Sequence, residues 1–170
     1  MPGMDRHQLT ANYYLEEFTR SEISARLGRP IGVERGSAEY ANVLRLCTHV
    51  LQPLRSVLGP VFVSSGVRPL WLNTMIGGSK NSQHIPGEAA DIVVSGFSPY
   101  EVVAWLSTSG LPFDQVIHEF GQWVHVSIKP FDRPPRGQVL TAWKRPDGAG
   151  ALATAYATGL HSMKDLEAAA

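Results

Sequence analysis

Two short β-patterned runs each hold a side chain that a protein core rejects. Ala89-Ala90-Asp91-Ile92-Val93-Val94 is apolar except for Asp91. Trp123-Val124-His125-Val126-Ser127 alternates, so Val124 and Val126 suit a core while His125 points the other way. An ionised carboxylate opening an apolar strand is costly to bury unpaired, so any fold built on these strands must supply Asp91 with a partner. A second imidazole, His84, lies just upstream in the polar, glycine-bearing stretch Ser82-Gln83-His84-Ile85-Pro86-Gly87-Glu88. Two imidazoles and one carboxylate form a ligand set that zinc uses in catalysis. Structural zinc sites are closed by four protein ligands, whereas catalytic sites keep three and leave a position for water. The chain has one cysteine, Cys47, which excludes a closed thiolate site by count. The bland alternatives are a hydrogen-bonded structural aspartate and a half-buried strand histidine. His7, His49 and His161 lack comparable surroundings and read as structural or exposed.

Hydrophobic spacing organises the rest. Residues 14–30 read as one short amphipathic helix, stopped by Gly28 and Pro30. Residues 38–58 carry the longest helical pattern, in which Pro53 is expected to produce a kink or end the first part. Val61 to Gly66 reads as a strand after Gly59-Pro60, 69–76 as a short helix and 77–82 as a loop. Ser98 as N-cap and Pro99 at the first helical position open a helix that runs to Gly110. Gln115–Glu119 and Trp123–Ile128 read as strands around Phe120-Gly121-Gln122, and Val139–Trp143 as an added edge strand. The expected fold is α+β, with helices packed on a small, mostly antiparallel sheet that supplies Asp91 and His125, and His84 in the loop before Asp91's strand.

At 170 residues the chain fits one domain that needs no disulfides. The domain is expected over 12–160, with 1–11 and 161–170 as flexible termini. Fifteen basic residues balance fifteen acidic ones, which gives no support to a nucleic-acid partner. No run approaches the roughly 18 consecutive apolar residues of a membrane span.

Several segments together carry a resemblance: Ser65-Gly66-Val67-Arg68-Pro69, Asn73, Gly77-Gly78-Ser79-Lys80, Ser82-Gln83-His84 through Gly87-Glu88-Ala89-Ala90-Asp91, and Trp123-Val124-His125-Val126-Ser127. They resemble the M15 peptidase family, the D-Ala-D-Ala carboxypeptidase and phage endolysin group, and most of all the branch typified by its C-terminal peptidase domain. The likeness extends over roughly residues 12 to 160. It implies a hedgehog/DD-peptidase type of fold. It also implies a zinc ion (Zn2+) held by His84, Asp91 and His125 with water in the fourth position, acting on peptide bonds of peptidoglycan stem peptides. Arg68 is then expected to grip a substrate carboxylate or stabilise charge on the carbonyl oxygen, against the alternative of a surface salt bridge. Ser82 and Gln83 are expected to orient ligands or substrate. Glu88 has no assigned role.

The family pattern breaks at one position. Many relatives carry a catalytic glutamate three residues before the last histidine, where this chain has Gln122, and glutamine cannot act as a base. Glu119 is the nearest carboxylate. On one straight strand it would lie about 20 Å from His125, too far to share a water; a turn at Phe120-Gly121-Gln122 would fold it back within reach. Glu119 is therefore the expected general base, with His118, on the alternate strand face, as its rival. The displaced base also leaves room for a second reading, a non-catalytic wall-binding or phage-particle module. A monomer is expected. The first residues show no apolar export segment, which favours a lysin held in the cytoplasm until phage-type release over a Sec-secreted enzyme.

Overall fold

The computed structural model describes residues 6–169. Its elements, in chain order, begin with α1 (Leu15–Phe18), α2 (Glu22–Arg26) and α3 (Ala38–Leu46). A π-helical turn (Cys47–Leu51) then leads into α4 (Gln52–Leu58), followed by β1 (Val61–Ser65), α5 (Leu70–Met75), β2 (Ala89–Val94) and α6 (Pro99–Thr108). The last elements are β3 (Gln115–Glu119), β4 (Trp123–Ser127), β5 (Gln138–Pro146), β6 (Leu152–Thr158) and α7 (Met163–Ala168). The strands form one sheet in the order β1-β2-β4-β3-β5-β6, antiparallel at every junction except β3 with β5. The α+β architecture agrees with the expectation. None of the described helices is long and apolar enough to cross a membrane.

Alternation along the central strands divides the sheet into two faces. Ala90, Ile92, Val94, Val116, Val124 and Val126 point into the core, where they join Val43, Leu46, Val50, Leu51 and Leu54 of the long helical segment and Val102, Val103 and Leu106 of α6 in one buried cluster. Full burial of each such aliphatic side chain contributes about 1.5–3 kcal/mol. Asp91, His125, Ile117 and Glu119 lie on the other face, because the register pairs Asp91 with His125 and His125 with Ile117. The core therefore fixes which side of the sheet is left for chemistry. A one-residue slip of β4 would bury His125 and expel the valines.

Three local expectations are corrected. The helix expected over 14–30 is two pieces: Ser21 accepts a hydrogen bond from the Ser24 N–H and starts α2 afresh. Pro53 neither ends the 38–58 helix nor stands at a simple kink. It has no N–H to donate and its ring crowds the preceding turn, and the helix widens into the π turn immediately before it. β5 is not an edge strand. It lies between β3 and β6 and runs on to Pro146, while β6 takes the edge.

Caps and turns act as the spacing predicts at α6, where Ser98 Oγ accepts from Glu101 N at 3.2 Å and Glu101 Oε2 accepts from Ser98 N at 2.8 Å. Between β3 and β4, the Gln122 N–H donates to Glu119 O at 2.9 Å. Phe120 and Gly121 have φ of 55° and 67°, the positive pair of a type I′ turn. Glycine adopts that conformation freely and phenylalanine does not. Phe120 is held in it edge-to-face against Trp123, with ring centroids 5.4 Å apart.

Candidate metal centre

Asp91 and His125 face each other across the β2–β4 junction, and His84 reaches them from the loop ahead of β2. His84 Nε2 lies 3.2 Å from Asp91 Oδ1 and 3.2 Å from His125 Nδ1; His125 Nδ1 lies 3.1 Å from Asp91 Oδ1. All three residues are buried.

The protons decide what this triangle is for. His84 Nδ1 lies 2.8 Å from the Gly66 carbonyl, which can only accept, so Nδ1 carries the proton and Nε2 presents a lone pair to the centre. Asp91 Oδ1 presents another lone pair. Three acceptor-type atoms thus converge where, short of protonating a histidine, at most His125 could supply one hydrogen. A cation resolves that arrangement. Ligand atoms 2.0–2.1 Å from a tetrahedral centre lie about 3.3 Å apart, close to the three observed separations, so the donor set fits a small divalent metal with one position left open. Burial alone would raise the Asp91 pKa, but the two imidazoles outweigh it and hold the carboxyl well below the usual carboxylate range.

Backbone contacts fix His84. A Cβ on Gly66 would meet Phe18 Cα and O at 2.5 Å, so only glycine allows β1 to approach α1 this closely. The Val67 N–H donates to Phe18 O at 2.7 Å and seals the same contact. The carbonyl that orients His84 is therefore anchored to the core. The far side of the ligand loop is tied to α3, where Asn42 Nδ2 donates to Pro86 O at 2.9 Å.

The other residues singled out from the sequence fall as follows. Arg68 lines the same cleft, of about 430 Å³, with Nη2 3.6 Å from Asp91 Oδ2 and 3.3 Å from Ser65 Oγ. Ser82 and Gln83 also line it; Ser82 Oγ accepts from the His84 N–H at 3.4 Å. Glu119 lines it too. It is two residues from Ile117, the cross-strand partner of His125, which makes it a diagonal neighbour of His125 at about 7–8 Å between Cα atoms. Burial first, and the nearby Asp91 charge second, push the Glu119 carboxyl above its ordinary pKa. His118 is on the opposite sheet face, paired with Val124, with Nδ1 3.1 Å from His161 O and its ring edge-on to Tyr100. Gln122 is exposed in the turn.

Three cleft or near-cleft residues escaped the sequence reading. Asp114 is fully buried. It accepts from Arg136 Nη2 at 2.6 Å, from the Arg136 N–H at 2.9 Å and from Gln83 Nε2 at 3.0 Å, with Lys129 Nζ 3.4 Å away. Burial opposes its ionisation, but the bonds from Arg136 prevail and hold its pKa down at about 2. This network pins Gln83 beside His84 and presents Arg136 to the cleft. The argument that singled out Asp91, an acid at the entry of an apolar strand, would also have found Asp114. Tyr156 of β6 overhangs the cleft, and burial first and then Glu119 raise its pKa. The alternation Thr154-Ala155-Tyr156-Ala157-Thr158 was its only trace in the sequence.

A sheet that presents Asp91 and His125 on the face away from its core, with His84 brought in from the preceding loop, gathers a donor set that could hold one metal ion, the kind of site mononuclear metallohydrolases use. The chain belongs to the Peptidase M15 family, whose model matches residues 16–127, a span that ends at the last residue of β4. The family is one of metallopeptidases, and membership implies peptidase activity on a peptide substrate. No curated protein matches the chain.

Proposed function

We propose that this protein is a zinc peptidase that hydrolyses peptide bonds of bacterial peptidoglycan stem peptides. The observation that carries the reading is the convergence of His84 Nε2, His125 Nδ1 and Asp91 Oδ1 at 3.1–3.2 Å with too few protons to share among them. His84, Asp91 and His125 are the ligands. Zinc bound there supplies Lewis acidity, polarising the scissile carbonyl and acidifying the attacking water. Glu119 is the general base. It takes the water's proton at a carboxylate oxygen and delivers it to the leaving amine nitrogen. Its position on the ligand face, and the opposite-face position of His118, support Glu119 over its rival. Arg68 keeps Nη2 near Asp91 and lines the cleft, where its guanidinium can take a substrate carboxylate or the developing oxyanion. Ser82 and Gln83 hold the loop that presents His84.

The test is digestion of purified cell wall by the zinc-loaded protein, read by mass spectrometry of the released muropeptides. New termini, as free amines or free D-alanine, support the reading and identify the bond cut. Wall binding without any release would overturn it in favour of a non-catalytic module.

A further inference from the structure

A depression larger than the metal cleft lies beside it. It is an open trough of about 910 Å³ beside β1, walled by α2 and the segment after it, with Arg20, Ala25, Pro30 and Ile31 facing Phe62. A smaller hollow lies between the two. It shares Arg20, Ser21, Glu22 and Ser64 with the trough and Arg68 with the metal cleft. Arg68, whose Nη2 lies 3.6 Å from Asp91, therefore borders both the metal cleft and the hollow that leads to the trough.

Strand register puts the groove on the working face. Phe62 pairs with Val93, and Val93 is two residues from Asp91 on the same side of β2. Both are apolar and exposed, Phe62 by 58% and Val93 by 39%, on a sheet whose opposite face buries its apolar residues. β1 is also the edge strand at this end of the sheet. Two residues along β2 and one strand across place Phe62 about 8–9 Å from Asp91 between Cα atoms, a span covered by roughly three residues of extended peptide.

We infer that this groove is an extended-substrate site. It takes a peptide chain running from the metal centre past Arg68 to seat an apolar side chain against Phe62, about three residues from the bond cut. The inference rests on the peptidase reading and deepens it. A chain that must reach Phe62 is longer than a terminal dipeptide, so the site selects longer peptides over minimal ones. The shared lining residues, Arg68 above all, make that occupant part of the substrate.

The experiment uses the zinc-loaded 170-residue chain and synthetic peptides built around a D-alanyl peptide bond. Each is either minimal or extended by four residues, on the amino or the carboxyl side, with leucine or aspartate third from that bond. Extension with leucine on one side is expected to lower KM by about tenfold, roughly the effect of part-burying one leucine side chain. Extension with aspartate gives no such gain. Phe62→Asp is expected to abolish the gain while leaving turnover of the minimal peptide and zinc content unchanged. Ala25→Arg, on the facing wall, is a second variant and should do the same. The affinity of a labelled extended peptide, by fluorescence anisotropy, reads the groove independently of turnover. Hydrolysis with no length dependence, or a leucine gain that survives both variants, overturns the groove and leaves the peptidase. Variant-sensitive binding without hydrolysis overturns the peptidase and leaves the groove.

Discussion

Replacing Gly66 with alanine tests whether a backbone contact, as well as the ligands, sets the metal affinity. The added Cβ would stand 2.5 Å from Phe18 Cα and O, about 0.9 Å inside ordinary van der Waals contact. Backbone occupies both sides of that contact, so no side chain can swing away. If β1 takes up the displacement, the Gly66 carbonyl retreats from His84 Nδ1, and a bond of 2.8 Å opens past the limit of a hydrogen bond. Loss of a partner that orients a ligand histidine typically costs 10- to 100-fold in metal affinity, about 1.4–2.7 kcal/mol. The overpacking adds about 1–3 kcal/mol of lost stability. Zinc affinity is measured by competition with a chromogenic chelator, and stability by urea unfolding of the metal-free protein. Gly32→Ala serves as the control, because a Cβ there meets nothing within 4 Å and its backbone is ordinary; it should leave both quantities unchanged. A Gly66→Ala protein that binds zinc as tightly as the parent would refute the claim that this carbonyl positions His84.

Alanine at His84, Asp91 or His125 should abolish stoichiometric zinc, measured by metal analysis of purified protein; one zinc per chain surviving in the triple variant sinks the ligand set. Glu119→Gln should reduce kcat by about 100- to 10,000-fold with zinc content intact, whereas Gln122→Ala, in an exposed turn, should do far less; near-normal rates for Glu119→Gln would return that residue to a hairpin role. The Asp114 carboxyl is held at about 2, below its ordinary value of 3.8, so its stabilisation is complete above about pH 4 and lost as pH falls through about 2. It amounts to about 1–2 kcal/mol after screening at the half-exposed Arg136. Asp114→Asn should flatten the acid limb of stability against pH in urea melts, and an unchanged limb would contradict the network.

The His84–Asp91–His125 cluster was legible because its signals are local. Asp91 interrupts a continuous apolar run, and His125 takes the polar side of an alternation that assigns faces without knowledge of the partner strand. The β3–β4 turn was legible for the same reason, since Gly121 sits between two complete strand patterns. Misreadings came from pairings distant in sequence. β5 resembled an edge because its partner β6 is mostly alanine and threonine, with only Leu152 and Tyr156 large enough to mark an alternation. Its parallel pairing with β3 follows from no turn signal at all. The break between α1 and α2 depends on Ser21 capping, which a continuous amphipathic pattern conceals. Asp114 and Arg136 are 22 residues apart, and only the folded loop after β4 makes them one unit.

The parallel junction of β3 with β5 gives the molecule a seam. Every residue of the proposed metal site lies on its near side, in the loop before β2, in β2 and in β4, and the matched family span also stops short of it. β5, β6 and α7 lie beyond it and contribute Tyr156 as an overhang to the cleft. A C-terminal hairpin paired to the rest of the sheet only through β3 carries none of the three residues of the proposed metal site, so its length can change without altering that donor set. That makes it the natural place for this architecture to vary the width of its cleft, and the first segment to graft when redesigning which peptides are admitted.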